Sequence, residues 1–504
     1  MLIISTSQNI LDSNEQIVLN HFFTNSDRPI FAIRNVPPAL QNYIYTGISR
    51  FPSVRERFVK ILGERCDLAQ LATAIRENKV NDALAGAVSF AAERNRDLYF
   101  NIKHGSSAEG ASAFVVAENC PIYATEDLQD FYWPLTTMEF STRYAKRFDI
   151  NRAFWEPKVM NSELADEAKV VITRNFELYQ KGFEPVMEVV KTKLQGAELK
   201  ETISALDALR CCIPLAAHTT IILGGNRRAV AEHFRKMLAI DDSFTSQYAS
   251  TALNELSNAD PGFFEGNQPD AQVIERNKKL RAHAEMLFGK KFEPVKETTV
   301  LHYNYPLEEM AMSQILYPYC TVPFKTVFEK VSGFNGSERR ELFDLANSGR
   351  DNRKNPVRGF ETRHLVFEIE TGWRLWKDFK RNRMNLRFHQ DLRGLAGWET
   401  PDMIAESSIA GEYEMAMKAT ANLMEKVYGK FGGTSRTVGA QGSRKRFLLC
   451  MGPRQLTVLG ELRTCGEGDR GYRRISSDMI RQAKEANPRL FGHINDNYRG
   501  VSTC

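Results

Sequence analysis

RGFETRHLVFEIETGWRLWKDFKRNRMNLRFHQDLR, residues 358 to 393, decides how the chain is read. Apolar and polar residues alternate through HLVFEIE (364–370), which predicts a strand half-buried against helices. Just downstream, arginines stand at 381, 383, 387 and 393 among aromatic and apolar side chains. Planar cations in that setting suit a phosphate-bearing small ligand or a nucleic acid, and equally a solvated charge run.

The first half of the chain repeats this order. SAFVVAE (112–118) alternates as HLVFEIE does, and STRYAKRF (141–148) takes the place of RNRMNLRF (381–388). An amphipathic helix is predicted after each motif. One carries Ile172, Phe176, Tyr179, Phe183, Met187 and Val190 on a face; the other carries Tyr413, Met417, Met424, Val427 and Tyr428. GGNRRAV (224–230) and MGPRQLT (451–457) come next, each followed by another amphipathic stretch that stops at a proline, Pro261 or Pro488. Shared order without close identity predicts an old internal duplication. Each copy is expected to be α+β, a small mainly antiparallel sheet packed with several helices. SNADPGFFEGNQPDAQ (257–272) reads as a loop between them. The expected layout is an N-terminal extension (1–40), a first domain (41–258), a linker (259–274) and a second domain (275–504).

Composition bounds the function. With 504 residues, 42% hydrophobic and 26% charged, the chain can bury ample core as a soluble globular protein. A net charge of +5 is mild for this length and makes a dedicated nucleic-acid binder unlikely. The N-terminus lacks a basic n-region and a sustained apolar stretch, so a cytoplasmic location is expected. CCIPLAAHTTIILGG (211–225) is too short to span a bilayer and reads as buried core. The eight cysteines include one close pair, Cys211 and Cys212, so reduced buried thiols are expected and no metal knuckle. HExxH, Walker, GxSxG and GxGxxG motifs are missing, which removes several enzyme classes.

The second half resembles the region of flavin-dependent thymidylate synthases in which a strand leads into a helix ending in Arg-His-Arg, here Arg381-Asn382-Arg383. In the first half, His104, Ser106 and Glu109 match the family's His-x-Ser/Thr-x-x-Glu flavin motif, and Glu139, Ser141, Arg143 and Tyr144 its Glu-x-Ser-x-Arg-Tyr nucleotide loop. Arg210 and Pro214 resemble Ala-Arg-x-x-x-Pro, Asn226 and Arg228 its Asn-x-Arg, and Arg454 and Arg463 its late arginines. The resemblance covers roughly 41–258 and 275–495, a tandem, double-length form with partly degenerate motifs. Phe131-Tyr132-Trp133 replaces Arg-His-Arg in the first copy, and Met237 its late arginine. Asp391 replaces the loop serine in the second copy, while Asn382 and Asp378 replace a histidine and a glutamine.

The resemblance implies FAD as cofactor, NADPH and methylenetetrahydrofolate as co-substrates, and dUMP as the nucleotide converted to dTMP. It assigns Glu139, Ser141, Arg143, Arg210 and Arg381 to dUMP, and Arg463 to the developing charge on the uracil ring. His104, Ser106, Glu109, Asn226, Arg228, Arg381, Asn382, Arg383 and Arg454 are assigned to FAD. Each copy has kept the side its twin has lost, so one composite site per chain is expected. Single-length relatives are tetramers, which implies a homodimer of these chains. Two other readings stay open. One is a non-catalytic nucleotide- or flavin-binding homologue. The other is a nucleic-acid binder using Arg353, Lys354, Arg358, Arg381, Arg383 and Arg387, with Phe360 and Trp373 as stacking platforms.

Overall fold

The computed structural model describes residues 12–28, 30–47, 53–101, 109–130, 135–143, 148–194, 198–240, 242–260, 263–264, 269, 271, 274–275, 292, 299–302, 306–316, 324–347, 360, 365–382, 385–465 and 469–498. Its architecture is α+β. Ser112–Pro121 (β1), Leu135–Glu139 (β2) and His218–Asn226 (β3) form one sheet in the order β1-β3-β2. Thr299–His302 (β4), Leu365–Gly372 (β5), Leu386–His389 (β6) and Arg444–Met451 (β7) form a second, antiparallel sheet in the order β4-β5-β7-β6. The alternation in HLVFEIE appears as fully buried Leu365, Phe367 and Ile369, which pair with Met451, Leu449 and Phe447 of β7.

The two halves share one strand order, since β1-β3-β2 and β5-β7-β6 correspond. Their helices correspond as well. A short helix follows the first strand, Thr125–Leu128 in one half and Trp373–Phe379 in the other. A long helix precedes the third strand, Ala165–Lys181 or Ala410–Phe431. Two helices close each half, Arg227–Leu238 with Ser243–Ala259, and Pro453–Arg463 with Arg470–Ala486. The single long apolar face expected over 172–190 is divided at Gly182, where a new helix, Phe183–Leu194, begins. A Cβ at Gly182 would lie 2.7 Å from Leu209 and 2.8 Å from Ile409, so close packing forbids a larger residue there.

The chain divides into two compact units whose boundaries fall within β1, β2 and β3 instead of between the halves. One unit comprises residues 1–117, 134–138 and 222–284; the other comprises 118–133, 139–221 and 285–504. In the first, five helices (Ser13–Phe22, Pro38–Gly47, Val54–Arg65, Leu68–Arg76 and Val80–Arg96) bury Val18, Leu19, Phe22, Phe58, Leu62 and Leu71 together. The described part of the N-terminal extension is thus built into this core. Phe263 and Phe264, at the start of the expected linker, are also buried, and Arg227 lies over the Phe263 ring.

The second unit takes segments from both halves and joins them through equivalent parts. Asn175 of one long helix donates from Nδ2 to Thr420 Oγ1 of the other at 2.8 Å, with both side chains buried. The loops before β3 and β7 clasp each other: the Leu215 amide donates to the Gly439 carbonyl and the Gln441 amide to the Ile213 carbonyl. Cys211, Cys212, Ile213, Leu215 and Ala216 are fully buried, as their apolar run predicts. Among the described residues, no helix is long and apolar enough to cross a membrane.

Candidate functional site

All residues of this site lie in the second compact unit. Strand β2 ends at Glu139, whose side chain is fully buried. Lys377, on the short helix after β5, meets Glu139 Oε1 at 2.7 Å, and Gln129 Nε2 donates to Oε2 at 3.2 Å. Burial alone would raise the Glu139 pKa, but Lys377, Lys380 and Arg381 outweigh it and hold the carboxyl ionised. One turn on, Lys380 Nζ donates to Thr125 Oγ1 at 2.6 Å and lies 5.0 Å from the centre of the Trp373 ring. Burial pushes this lysine down to about 7, against the opposing pull of Glu139.

Beside this pair runs a chain of arginines and carboxylates. Arg143, two residues beyond Ser141, grips Asp207 with Nε and Nη2, each at 2.8 Å. Arg210 is 1% exposed and meets Asp469 at 2.9 Å, Asp378 at 3.0 Å and Asp207 at 3.7 Å. Arg374 binds Asp469 and also Glu399, the latter at 2.6 Å. Asp469 accepts in addition from the Gly471 amide at the head of the last long helix. Burial would raise its pKa, yet Arg374 and Arg210 bring it down to about 2.

Two cations differ from these. Arg463 ends its helix 5.6 Å from the centre of the Tyr472 ring, and its Nε is buried without a hydrogen-bond partner. The Nε of Arg381 is likewise buried and unpartnered, with the Asp378 carboxylate 3.9 Å from its Nη2. Asn382 Nδ2 donates to the Tyr472 hydroxyl at 2.8 Å and to the Phe379 carbonyl. Burial raises that hydroxyl to about 12, while the positive charges of Arg463 and Arg381 act to lower it. Both open guanidiniums thus face the same phenol.

Glu139, Arg143 and Arg210 from the first half and Arg381 and Arg463 from the second therefore share one network within a single chain. Ser141 is half-buried beside it, its Oγ accepting from the Arg143 amide at 3.4 Å. Arg454 opens the helix that Arg463 ends, about 14 Å of helix away. Glu109, Asn226 and Arg228 belong to the other compact unit and bind one another. There Asn226 donates to the Glu109 carbonyl, Arg228 meets the Glu109 carboxylate at 2.6 Å, and the Asn226 side chain caps the Arg227–Leu238 helix. His104, Ser106 and Arg383 lie outside the described residues.

Lys377, Lys380, Asp207, Arg374 and Asp469 were not singled out from the sequence. The two lysines carried a signal: they fall at i+4 from Trp373 and Trp376, on the buried side of a short helix. Asp469 carried none, because Arg210 and Arg374 lie 259 and 95 residues away, and Asp207 carried only its i+3 spacing to Arg210, since its closer partner Arg143 is 64 residues away.

Among the described residues, the twin arrangement carries ion pairs of its own. Arg436 meets Asp127 at 2.7 Å, and Arg393 is clamped by Glu425 at 2.7 Å with the fork that Arg143 uses on Asp207, although Glu425 lies on the long helix Ala410–Phe431. His389 stands where Glu139 does and faces Glu126, a carboxylate in place of Lys377. Glu126 also takes Lys445 at 2.8 Å and the Trp376 indole N–H at 2.9 Å. The nucleic-acid reading loses its stacking platforms, because Trp373 and Phe360 are buried. Arg387 is committed to the Gln129 and Lys380 carbonyls, and Arg353, Lys354 and Arg358 lie outside the described residues.

Fold and site together define an internally duplicated α+β protein with one buried, cation-rich pole assembled from both copies. The family model described as thymidylate synthase complementing protein matches residues 67–261. The chain is also similar along its length to the UPF0159 protein of Chlamydia muridarum, 24% identical with 93% of this chain and 92% of the relative covered. The UPF0159 protein of Chlamydia pneumoniae is 22% identical over the same shares, and that of Thermoplasma acidophilum is 22% identical over 80% of this chain and 89% of its own.

Proposed function

We propose that the chain is a flavin-dependent thymidylate synthase, converting dUMP to dTMP with a carbon from methylenetetrahydrofolate and reducing equivalents from NADPH through FAD. The match of residues 67–261 to the thymidylate synthase complementing protein family supports the reaction class. The observation that carries the reading is the pair of unpartnered, buried guanidinium nitrogens of Arg381 and Arg463 beside Tyr472, inside the network that holds Glu139, Arg143 and Arg210.

Uracil becomes nucleophilic at C5 only as negative charge builds on its ring. A guanidinium held against an aromatic face, as Arg463 is, stabilises that charge without reorganising. Ser141, Arg143 and Arg210 form the opposite pole, for the phosphate. Buried donors with no partner fit an anionic cofactor as well as an anionic substrate, so Arg381, with Asn382 and Arg454, would hold FAD from this unit. When bound, a reduced flavin supplies the reducing equivalents that no side chain can. The Asn382 amide, already committed to Tyr472 and the Phe379 carbonyl, favours a second reading in which the site binds flavin or nucleotide without turnover.

The purified chain is expected to be yellow, to oxidise NADPH faster when dUMP and methylenetetrahydrofolate are added, and to release dTMP on chromatography. A chain that binds dUMP but stays inert after reconstitution with FAD would establish the non-catalytic reading.

A further inference from the structure

The position of Asp207 is at odds with the helix that carries it. It lies in the last turn of Glu198–Leu209, where the negative end of the helix dipole disfavours a carboxylate; that turn holds no basic residue, and Arg210 just beyond it stands 3.7 Å away. Asp469 lies close enough to raise the Asp207 pKa further, after burial. What holds Asp207 there is Arg143, which spans both carboxylate oxygens, with Nε at 2.8 and 3.1 Å and Nη2 at 2.8 Å. This is the fork geometry with which arginine receives a phosphate. Arg143 and Asp207 are 22% and 13% exposed, whereas Arg210 and Asp469 behind them are 1% and 3% exposed. Asp207 is thus more accessible than Asp469 behind it, though less than Glu399 at 21%, and burial with Asp469 works against its charge.

We propose that Asp207 is an affinity and specificity determinant of the site, a built-in carboxylate that occupies Arg143 in place of an oxyanion and must release it when a ligand phosphate arrives. This rests on reading the site as a nucleotide site and concerns which ligands it admits. A singly charged or neutral ligand cannot displace Asp207, because Arg143 would lose a two-pronged ion pair for a weaker contact. A dianionic phosphate can, and its charge adds to that of Asp469 in driving a proton onto the released carboxyl. The other groups facing Asp207 are Arg210 from the following turn, Tyr179 from the helix Ala165–Lys181, and Arg374, which donates to its main-chain carbonyl. None of them supplies a second carboxylate to replace it on Arg143. Arg393 grips Glu425 with the same two-pronged geometry.

The test is calorimetric, on the full-length chain, with sulfate as a non-titrating dianion and with dUMP and deoxyuridine. Asp207→Asn is expected to tighten sulfate and dUMP on the order of tenfold and leave deoxyuridine unchanged, while Arg143→Gln abolishes the gain in the double variant. On the unaltered chain, sulfate binding at mildly acidic pH is expected to take up protons, read by repeating the titration in buffers of different ionisation enthalpy. This second measurement decides the matter if Asp207→Asn fails to fold. Unchanged or weaker sulfate binding by folded Asp207→Asn, binding without proton uptake, or no sulfate binding by any folded chain would overturn the inference. If sulfate behaves as expected but neither uridine compound binds, the role of Asp207 stands and the thymidylate reading falls.

Discussion

Replacing Lys380 by methionine should remove most of the rise in stability that the protein shows between pH 7 and pH 9. The lysine is buried and its pKa is pushed down from an ordinary 10.5 to about 7. Between those values the unfolded chain holds a proton that the folded chain has lost, so stability increases with pH. Below about 7 both states hold the proton and that gain is absent. At about 1.4 kcal/mol per pH unit, the two units from 7 to 9 add about 2 to 3 kcal/mol. Methionine keeps the unbranched stem against Trp373 and leaves few groups unsatisfied. Thr125 Oγ1 still donates to the Ile122 carbonyl at 2.8 Å, and Glu139 retains Lys377 and Gln129. Lys377, lowered in the same direction, leaves a smaller slope behind. The window closes near pH 9, because the buried thiols of Cys211 and Cys212 would ionise first in the unfolded chain and oppose the gain. Urea unfolding followed by tryptophan fluorescence at pH 7, 8 and 9 reads the effect. A variant with the wild-type slope, or a wild type whose stability is flat over this range, would refute the assignment.

Arg463→Ala should depress turnover by at least a hundredfold with a change in melting temperature of only a few degrees, since its guanidinium has no carboxylate to strand. Met237→Ala, at the equivalent place in the first half, should cost about 2 to 5 kcal/mol of stability with kcat unchanged in the folded fraction, because Met237 is buried. Equal kinetic losses at both would refute the division of labour between the copies. Asp469→Ala removes the carboxylate shared by Arg210 and Arg374, which keep Asp378 and Glu399, and should destabilise by about 2 to 4 kcal/mol in urea titrations. Light scattering should give twice 57.4 kDa if two chains assemble as the tetrameric single-length relatives suggest.

Periodicity and local spacing made much of the fold legible. HLVFEIE and SAFVVAE announced β5 and β1, and the repeated order of motifs anticipated the shared strand order of the two sheets. The apolar run 211–225 gave no hint that its first part is a fully buried tight turn and only its second part β3, where Thr220 and Ile222 are exposed instead of buried in the core. Local pattern carries no sign of the contact between the long helices at residues 175 and 420, which are 245 residues apart. At the site, motif spacing led to Glu139, Arg143, Arg210, Arg381 and Arg463. It could not reveal that Asp207 and Asp469 already neutralise some of these cations, because an isolated aspartate reads the same in a core network and on a wet surface.

The clasp between Leu215 and Gly439, with Gln441 and Ile213, has a consequence for how such a chain can change. In an assembly of identical subunits, any substitution at a self-contacting turn lands on both sides of the junction at once and must suit itself. Here the two partners are encoded separately. Each can drift alone and be matched later by the other, which opens to this chain pairs of residues that a symmetric relative could never try.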